Sequence, residues 1–290
     1  MVRLAAVGVS LMTRLDQTLD ELARLPAIGY MAGGAAAAEP AAVAALAFVA
    51  HGRTDDAVKA AGVLASMQQS NGEVSVRAGE QSPGWPTSLA VVAWSATNRD
   101  AYRGRIDSAV GWLLSNRGKG VERSDTFGHN TELVGWAYAE QTHSWVEPTA
   151  FAVLALKAAG RYSEPAAREG VSVLLDRQLP GGGLNYGNTY VLGQLLRPHV
   201  EPTGIGLVAL AGEMDSSGRI AKSLAWLRRN IGPETTPLSL GWGLLGLKAH
   251  GSDLPQADEW LSAAASRVQS RDRSPHKLAL LALAAKGWPG

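Results

Sequence analysis

One phrase recurs along this chain, and it leaves few architectures open. Glu147-Pro148-Thr149 opens the apolar run that ends at Gly160, and Glu201-Pro202-Thr203 opens the one that ends at Gly212. Pro237 opens a run ending at Gly251, Pro275 one ending at Gly287, and Glu39-Pro40 one ending at Gly52. Trp85-Pro86-Thr87 opens a sixth, ending near Asn98. A fixed phrase at regular intervals marks a repeat architecture. Proline suits the first helical turn, where its missing N–H costs nothing, and glycine suits the position just past a helix end. The residues between are apolar on nearly every face, so each run predicts a helix buried on all sides.

An amphipathic helix precedes each buried one: Leu11–Leu25, Asp55–Gln69, Arg105–Arg117, Ala166–Gln178, Arg219–Asn230 and Gln256–Val268. Their charged faces place them outside. Three share a tag: Trp112-Leu113 before Asn116 and Gly118, Trp226-Leu227 before Asn230 and Gly232, and Leu174-Leu175 before Gln178 and its glycines. Six pairs of half-buried and fully buried helices predict two concentric rings, an α6/α6 toroid forming one domain over residues 1–290. An open solenoid of stacked pairs is the alternative, but it would leave one face of each inner helix exposed.

These features resemble the terpenoid cyclase and protein prenyltransferase superfamily over nearly the whole chain. The resemblance rests on the Trp-Leu…Gln/Asn…Gly tag, on Gln81-Ser82-Pro83-Gly84-Trp85, which is similar to the Gln–Trp motif, and on the Pro-Thr helix starts. It implies an all-α toroid that binds or transforms an isoprenoid or other apolar substrate in a central cavity, with possible peripheral membrane contact. Two hallmarks of the superfamily are missing. The place resembling Asp-Asp-Thr-Ala reads Glu147-Pro148-Thr149-Ala150, and with no cysteine the prenyltransferase zinc set cannot be carried over. A thioester at Gly79-Glu80-Gln81 is excluded for the same reason, since Ala78 stands where its cysteine would be.

A cyclase-like reaction without metal or cofactor needs a carboxylic acid held protonated in apolar surroundings. Glu147, Glu201 and Glu132 are the candidates. Acids in a first helical turn also complement the helix dipole, and for Glu147 and Glu201 both roles stay open. Two long inserts, about 121–147 and 179–201, lead into the Glu-Pro-Thr starts and concentrate aromatics and amides, as functional loops do. They and the Trp85 loop supply the candidate substrate-binding residues Trp85, His129, Asn130, Trp136, Trp145, Asn185, Tyr186 and Tyr190. Aromatic faces stabilise cations, although they also pack between repeats. Asn185 and Asn188 read first as turn formers. His129 and His143, with Glu132 and Glu140, have no helical ligand spacing, so no metal is expected there. Two alternatives remain: a non-catalytic binding or scaffold toroid, and a carbohydrate-active α/α-barrel using carboxylates among Asp125, Glu132, Glu147 and Glu201.

Composition narrows the rest. Of 290 residues 46% are hydrophobic and 18% charged, which indicates a folded globular chain. The net charge of +1 without a basic stripe argues against nucleic acid. The short apolar run Leu4–Leu11 leads into charged residues, not a cleavage site, so the expectation is a soluble, cytoplasmic protein. The oligomeric state is left open.

Overall fold

The computed structural model of the chain describes residues 15–80, 83–124 and 126–289. The leader reading at Leu4–Leu11, the glutamine of the Gln–Trp motif at Gln81, and Asp125 lie outside these residues. Helix α1 covers 15–24, followed by α2 (Ala38–Ala50), α3 (Thr54–Met67), α4 (Thr87–Asn98), α5 (Arg103–Ser115) and α6 (Val146–Ala158). Then come α7 (Pro165–Asp176), α8 (Val200–Ala209), α9 (Arg219–Asn230), α10 (Pro237–Lys248), α11 (Ala257–Arg271) and α12 (Pro275–Lys286). Among the described residues the two strands are a hairpin inside the second insert, β1 (Tyr190–Val191) paired with β2 (Gln194–Leu195).

The even-numbered helices form the inner ring. Each packs on the next, and α12 packs back against α2. That closing contact makes the fold an all-α toroid and excludes the open solenoid. Burial follows: in α2 every residue from Pro40 to Phe48 is buried. The outer helices bury one stripe only. Helix α9 buries Ile220, Ser223 and Leu227 at helical spacing and leaves Arg228 and Arg229 in water. The terminal glycines serve as read: Gly52, Gly160, Gly212 and Gly251 all take left-handed φ between 63° and 78°.

The Pro-Thr tag has a physical cause. The hydroxyl of Thr87 accepts the Val74 N–H at 2.8 Å, Thr149 accepts that of Trp136 at 3.0 Å, and Thr203 accepts that of Leu184 at 2.8 Å. All three threonines are fully buried. Each fixes the turn entering its inner helix by satisfying a backbone donor that burial would otherwise strand. The Trp tags pack as outer-ring residues: Trp112 closes on Gly84 and Trp226 on Gly183, too near for any side chain there.

Inner helices α8 and α10 touch through backbone. A Cβ on Gly204 would stand 2.3 Å from the Trp242 carbonyl oxygen, and one on Gly246 would stand 2.7 Å from the Gly204 oxygen. Alanine is the better helix former by about 1 kcal/mol. Overpacking a rigid backbone contact costs about 1–3 kcal/mol or more, so the clash wins. Gly204→Ala is therefore expected to lower the urea midpoint; an unchanged or raised midpoint would contradict the close approach.

Large aromatic side chains meet across the inner ring. Phe151 on α6 and Trp242 on α10 come from helices separated by α8, yet their rings meet at 5.6 Å. Trp288, beyond α12, continues the stack at 5.7 Å from Trp242. At that level the two side chains are buried, Phe151 2% and Trp242 1% exposed, and they narrow the space that the expected central cavity would have.

Candidate acid site at the toroid mouth

The inner helices α2, α6 and α8 each carry a glutamate at their second residue: Glu39, Glu147 and Glu201. The ring brings these starts to one end, and the three carboxyls feel one another's charge. Glu147 and Phe151 lie four residues apart on α6, on one helix face, so the acids stand about one turn above the aromatic pair.

Each acid has a hydroxyl partner. The Tyr138 hydroxyl donates to Glu147 Oε2. Tyr30 donates to Glu39 Oε2 at 2.9 Å, and Ser239 on α10 donates to Glu201 Oε2 at 3.2 Å. Burial pushes the Glu147 carboxyl up to about 7, with Glu201 and Glu39 adding to the rise and Tyr138 opposing it. Burial alone pushes Glu39 to about 7 against its Tyr30 bond. Burial and the charge of Glu39 raise Glu201, against its bond from Ser239. The tyrosines respond in kind: burial, then the neighbouring glutamates, push Tyr30 and Tyr138 far above the ordinary phenol. Among the described residues no basic side chain pairs with Glu147 or Glu201. Glu39 and Glu147 are thus poised to hold or release a proton near neutrality, and Glu201 is shifted in the same direction.

His276, at the second residue of α12, completes the seam between the first and last pairs. Its Nε2 lies 3.7 Å from Glu39 Oε1, and its ring meets Tyr30 edge-on at 5.5 Å. Burial holds it down to about 4, so the pair is uncharged at pH values between about 4 and 7.

An aromatic collar flanks Glu147. Trp85 packs edge-on to Tyr138 at 5.9 Å, and Trp145 lies 6.2 Å from Tyr138. Tyr186 sits beside the start of α6, its carbonyl accepting the Val146 N–H at 2.9 Å, and its phenol is raised by burial and then by Glu147 and Glu201. Of the candidates read from sequence, Glu147, Glu201, Trp85, Trp145 and Tyr186 gather at this mouth.

The others do not. Glu132 is exposed on the first insert, its N–H held by the Asn130 side chain, which removes it from the acid set. The Asn130 side chain serves that turn, and its N–H donates to Asp176. Asn185 holds the Gly187 N–H in a turn of its own loop, and Tyr190 sits half-exposed on the hairpin. Trp136 is buried packing: its indole N–H donates to the Leu113 carbonyl at 2.8 Å, with Arg117 over the ring. His129 is buried among the inserts against Phe127 and Thr189. Among the described residues no group of three His, Cys, Asp or Glu could hold a metal ion, and no helix is long and apolar enough to cross a membrane.

Sequence reading passed over Glu39, Tyr30, Tyr138 and His276. Glu39 was detectable, because Glu39-Pro40 repeats the phrase that marked Glu147 and Glu201. His276 holds the same second position in its helix, but Ser274-Pro275-His276 does not spell the phrase.

No protein-family model and no curated protein matches this chain. Solved structures do. An ent-copalyl diphosphate synthase from Streptomyces platensis superposes with a TM-score of 0.54 at 16% identity, over 86% of this chain and 50% of that one. The endo-β-1,4-glucanase CMCax from Acetobacter xylinum gives 0.54 at 13% identity, over 94% and 97%. A Salmonella alpha-2-macroglobulin reacted with methylamine gives 0.53 at 14%, over 94% of this chain and 17% of that one. The chain thus spans about half of the synthase and a small part of the macroglobulin. At such identities the likeness is one of fold: this is an α/α-toroid similar to those in a terpene cyclase, a glucanase and a macroglobulin.

Proposed function

We propose that the chain is an acid catalyst whose proton donor is Glu147 and whose substrate is an isoprenoid or another apolar molecule with a protonatable double bond. One observation carries this reading: a carboxyl pushed up to about 7 beside the clustered rings of Trp85, Tyr138 and Trp145. The raised value keeps much of the acid protonated at neutral pH. The ring faces offer a developing carbocation about 0.5–2 kcal/mol each. Because Phe151 and Trp242 pack together about one turn below Glu147, the substrate would sit above them at the mouth. The reading needs no cofactor, and peripheral contact with a membrane that holds such substrates belongs to the same proposal.

Two observations favour other readings. Glu147 and Glu201 lie at one mouth and sense each other's charge, and a pair of carboxyls forms the acid and base of glycoside hydrolysis. The packing of Phe151, Trp242 and Trp288 inside the ring suits a binding or scaffold toroid. Incubation with squalene, a linear prenyl diphosphate and cello-oligosaccharides, followed by mass spectrometry, separates the three. An isomer of unchanged mass supports the proposal. Addition of water across a glycosidic bond supports the sugar reading. Neither product nor saturable binding of any isoprenoid would sink the proposed function.

A further inference from the structure

We propose a second ligand site, for a small oxyanion-headed molecule with an apolar body, in the cavity between the two inserts. The cavity holds about 350 Å³, and Lys119, Phe127, His129, His143, Arg177 and Asn188 stand in its wall. Contacts between the inserts frame it: Phe127 bridges to Val191, and the Gly128 N–H reaches the Tyr190 carbonyl at 3.4 Å.

Arg177 distinguishes this cavity from a surface cleft. Its side chain is only 4% exposed, and the fold does not use up its donors. Nη1 bonds Asp176 Oδ2 at 2.6 Å and the Asn130 carbonyl at 3.1 Å, while the buried Nε has no protein acceptor. That Nε is sealed from the cavity, so a ligand would meet the guanidinium at its terminal nitrogens. Guanidinium donors in a fixed fork suit phosphate and carboxylate.

The histidines add neutral donors. His129 Nδ1 stands 3.4 Å from the Thr189 N–H, which places its own proton on Nε2, across the ring. Burial and then Arg177 hold His129 down to about 4, and the same two causes lower His143. Lys119 adds an exposed charge at the rim. The charged groups around the histidines are thus Lys119, Arg177 and Asp176, with Asp176 engaged by Arg177 and by the Asn130 N–H. Val121, Phe127 and Leu133 give the cavity its apolar side. Trp145 separates it from the acids, with His143 at 4.5 Å on one side and Tyr138 on the other.

The test does not depend on turnover, so it fails or succeeds apart from the role of Glu147. Histidine ring resonances would be followed by NMR during titration with inorganic phosphate, decyl phosphate or decanoate, against sodium chloride of equal ionic strength. The expected result is saturable shifts of His129 and His143 at millimolar ligand, with both imidazoles becoming easier to protonate. Binding of decyl phosphate but not decanoate identifies a phosphate head, and the reverse a carboxylate. Arg177→Gln should abolish the shifts. Should that variant not fold, Lys119→Gln, at an exposed position, should weaken binding about tenfold. Shifts no larger than those from chloride, or wild-type binding by the folded Lys119→Gln protein, would overturn the site.

Discussion

Glu147→Gln is expected to cut turnover by about 10²–10⁴-fold while leaving the fold intact, the usual contribution of a positioned general acid. Glutamine keeps the volume and an oxygen to accept the Tyr138 hydroxyl, but it cannot deliver a proton. The competing role for this residue was to complement the α6 dipole by its charge. That role is worth about 0.3–1 kcal/mol and needs the carboxylate ionised. A carboxyl pushed up to about 7 is half neutral at neutral pH, which weakens that role. The two are separable in one variant. Lost turnover with the urea midpoint kept, or raised above pH 7, supports the acid. Full turnover with a lowered midpoint supports the dipole and removes Glu147 from catalysis.

Stability should be highest in mildly acidic solution, because opposite shifts meet there. Glu39 and Glu147 are raised from 4.5 to about 7 by burial. Their neutral forms favour the folded state, so this stabilisation is complete below pH 4.5 and is lost as pH rises through 7. His129 and His276 are lowered from 6.5 to about 4, chiefly by burial. Their contribution is complete above 6.5 and is lost as pH falls through 4. Between about pH 4.5 and 6.5 the two pairs change with opposite slopes and cancel, so stability should hold a plateau centred near pH 5.5. Each limb amounts to only about 1–2 kcal/mol, two groups over about half a pH unit at roughly 1.4 kcal/mol per unit. Urea midpoints measured from about pH 4 to 8 check this. In Glu39→Gln/Glu147→Gln the alkaline limb should disappear, leaving a plateau above 6.5. An alkaline limb as steep as in the wild type would show that these carboxyls are ordinary.

The two rings were legible because their determinants are local. A proline in the first turn, a left-handed glycine after the last, and apolarity on every face between them lie within a dozen or so residues of one another. That is why the outer helices fall where the periodicity puts them, α9 at Arg219–Asn230 to the residue. The Pro-Thr tag was visible as a repeat, but its work was not. The hydroxyls of Thr87, Thr149 and Thr203 serve backbone donors 13 to 19 residues upstream, in turns with no sequence pattern of their own.

The mouth was half legible. Glu147 and Glu201 were identified through the repeated phrase, and Trp85, Trp145 and Tyr186 through insert composition. Glu132 shared that composition, yet its loop turns it to water. Tyr30 and His276 reach Glu39 only because α12 closes onto α2. No local pattern announces a contact between the ends of a ring.

By itself the sequence determined the fold class, the repeat count and the end of the ring where the glutamates lie, since each follows from backbone preferences and burial within one repeat. Only the tertiary structure decided that Phe151 and Trp242 meet across the ring, that Glu39 joins the acids, and that burial raises all three carboxyls. Those outcomes depend on which side chains the closed ring brings together and how much water it leaves between them. Proton affinity and cavity shape are properties of that enclosure, not of the residues one at a time.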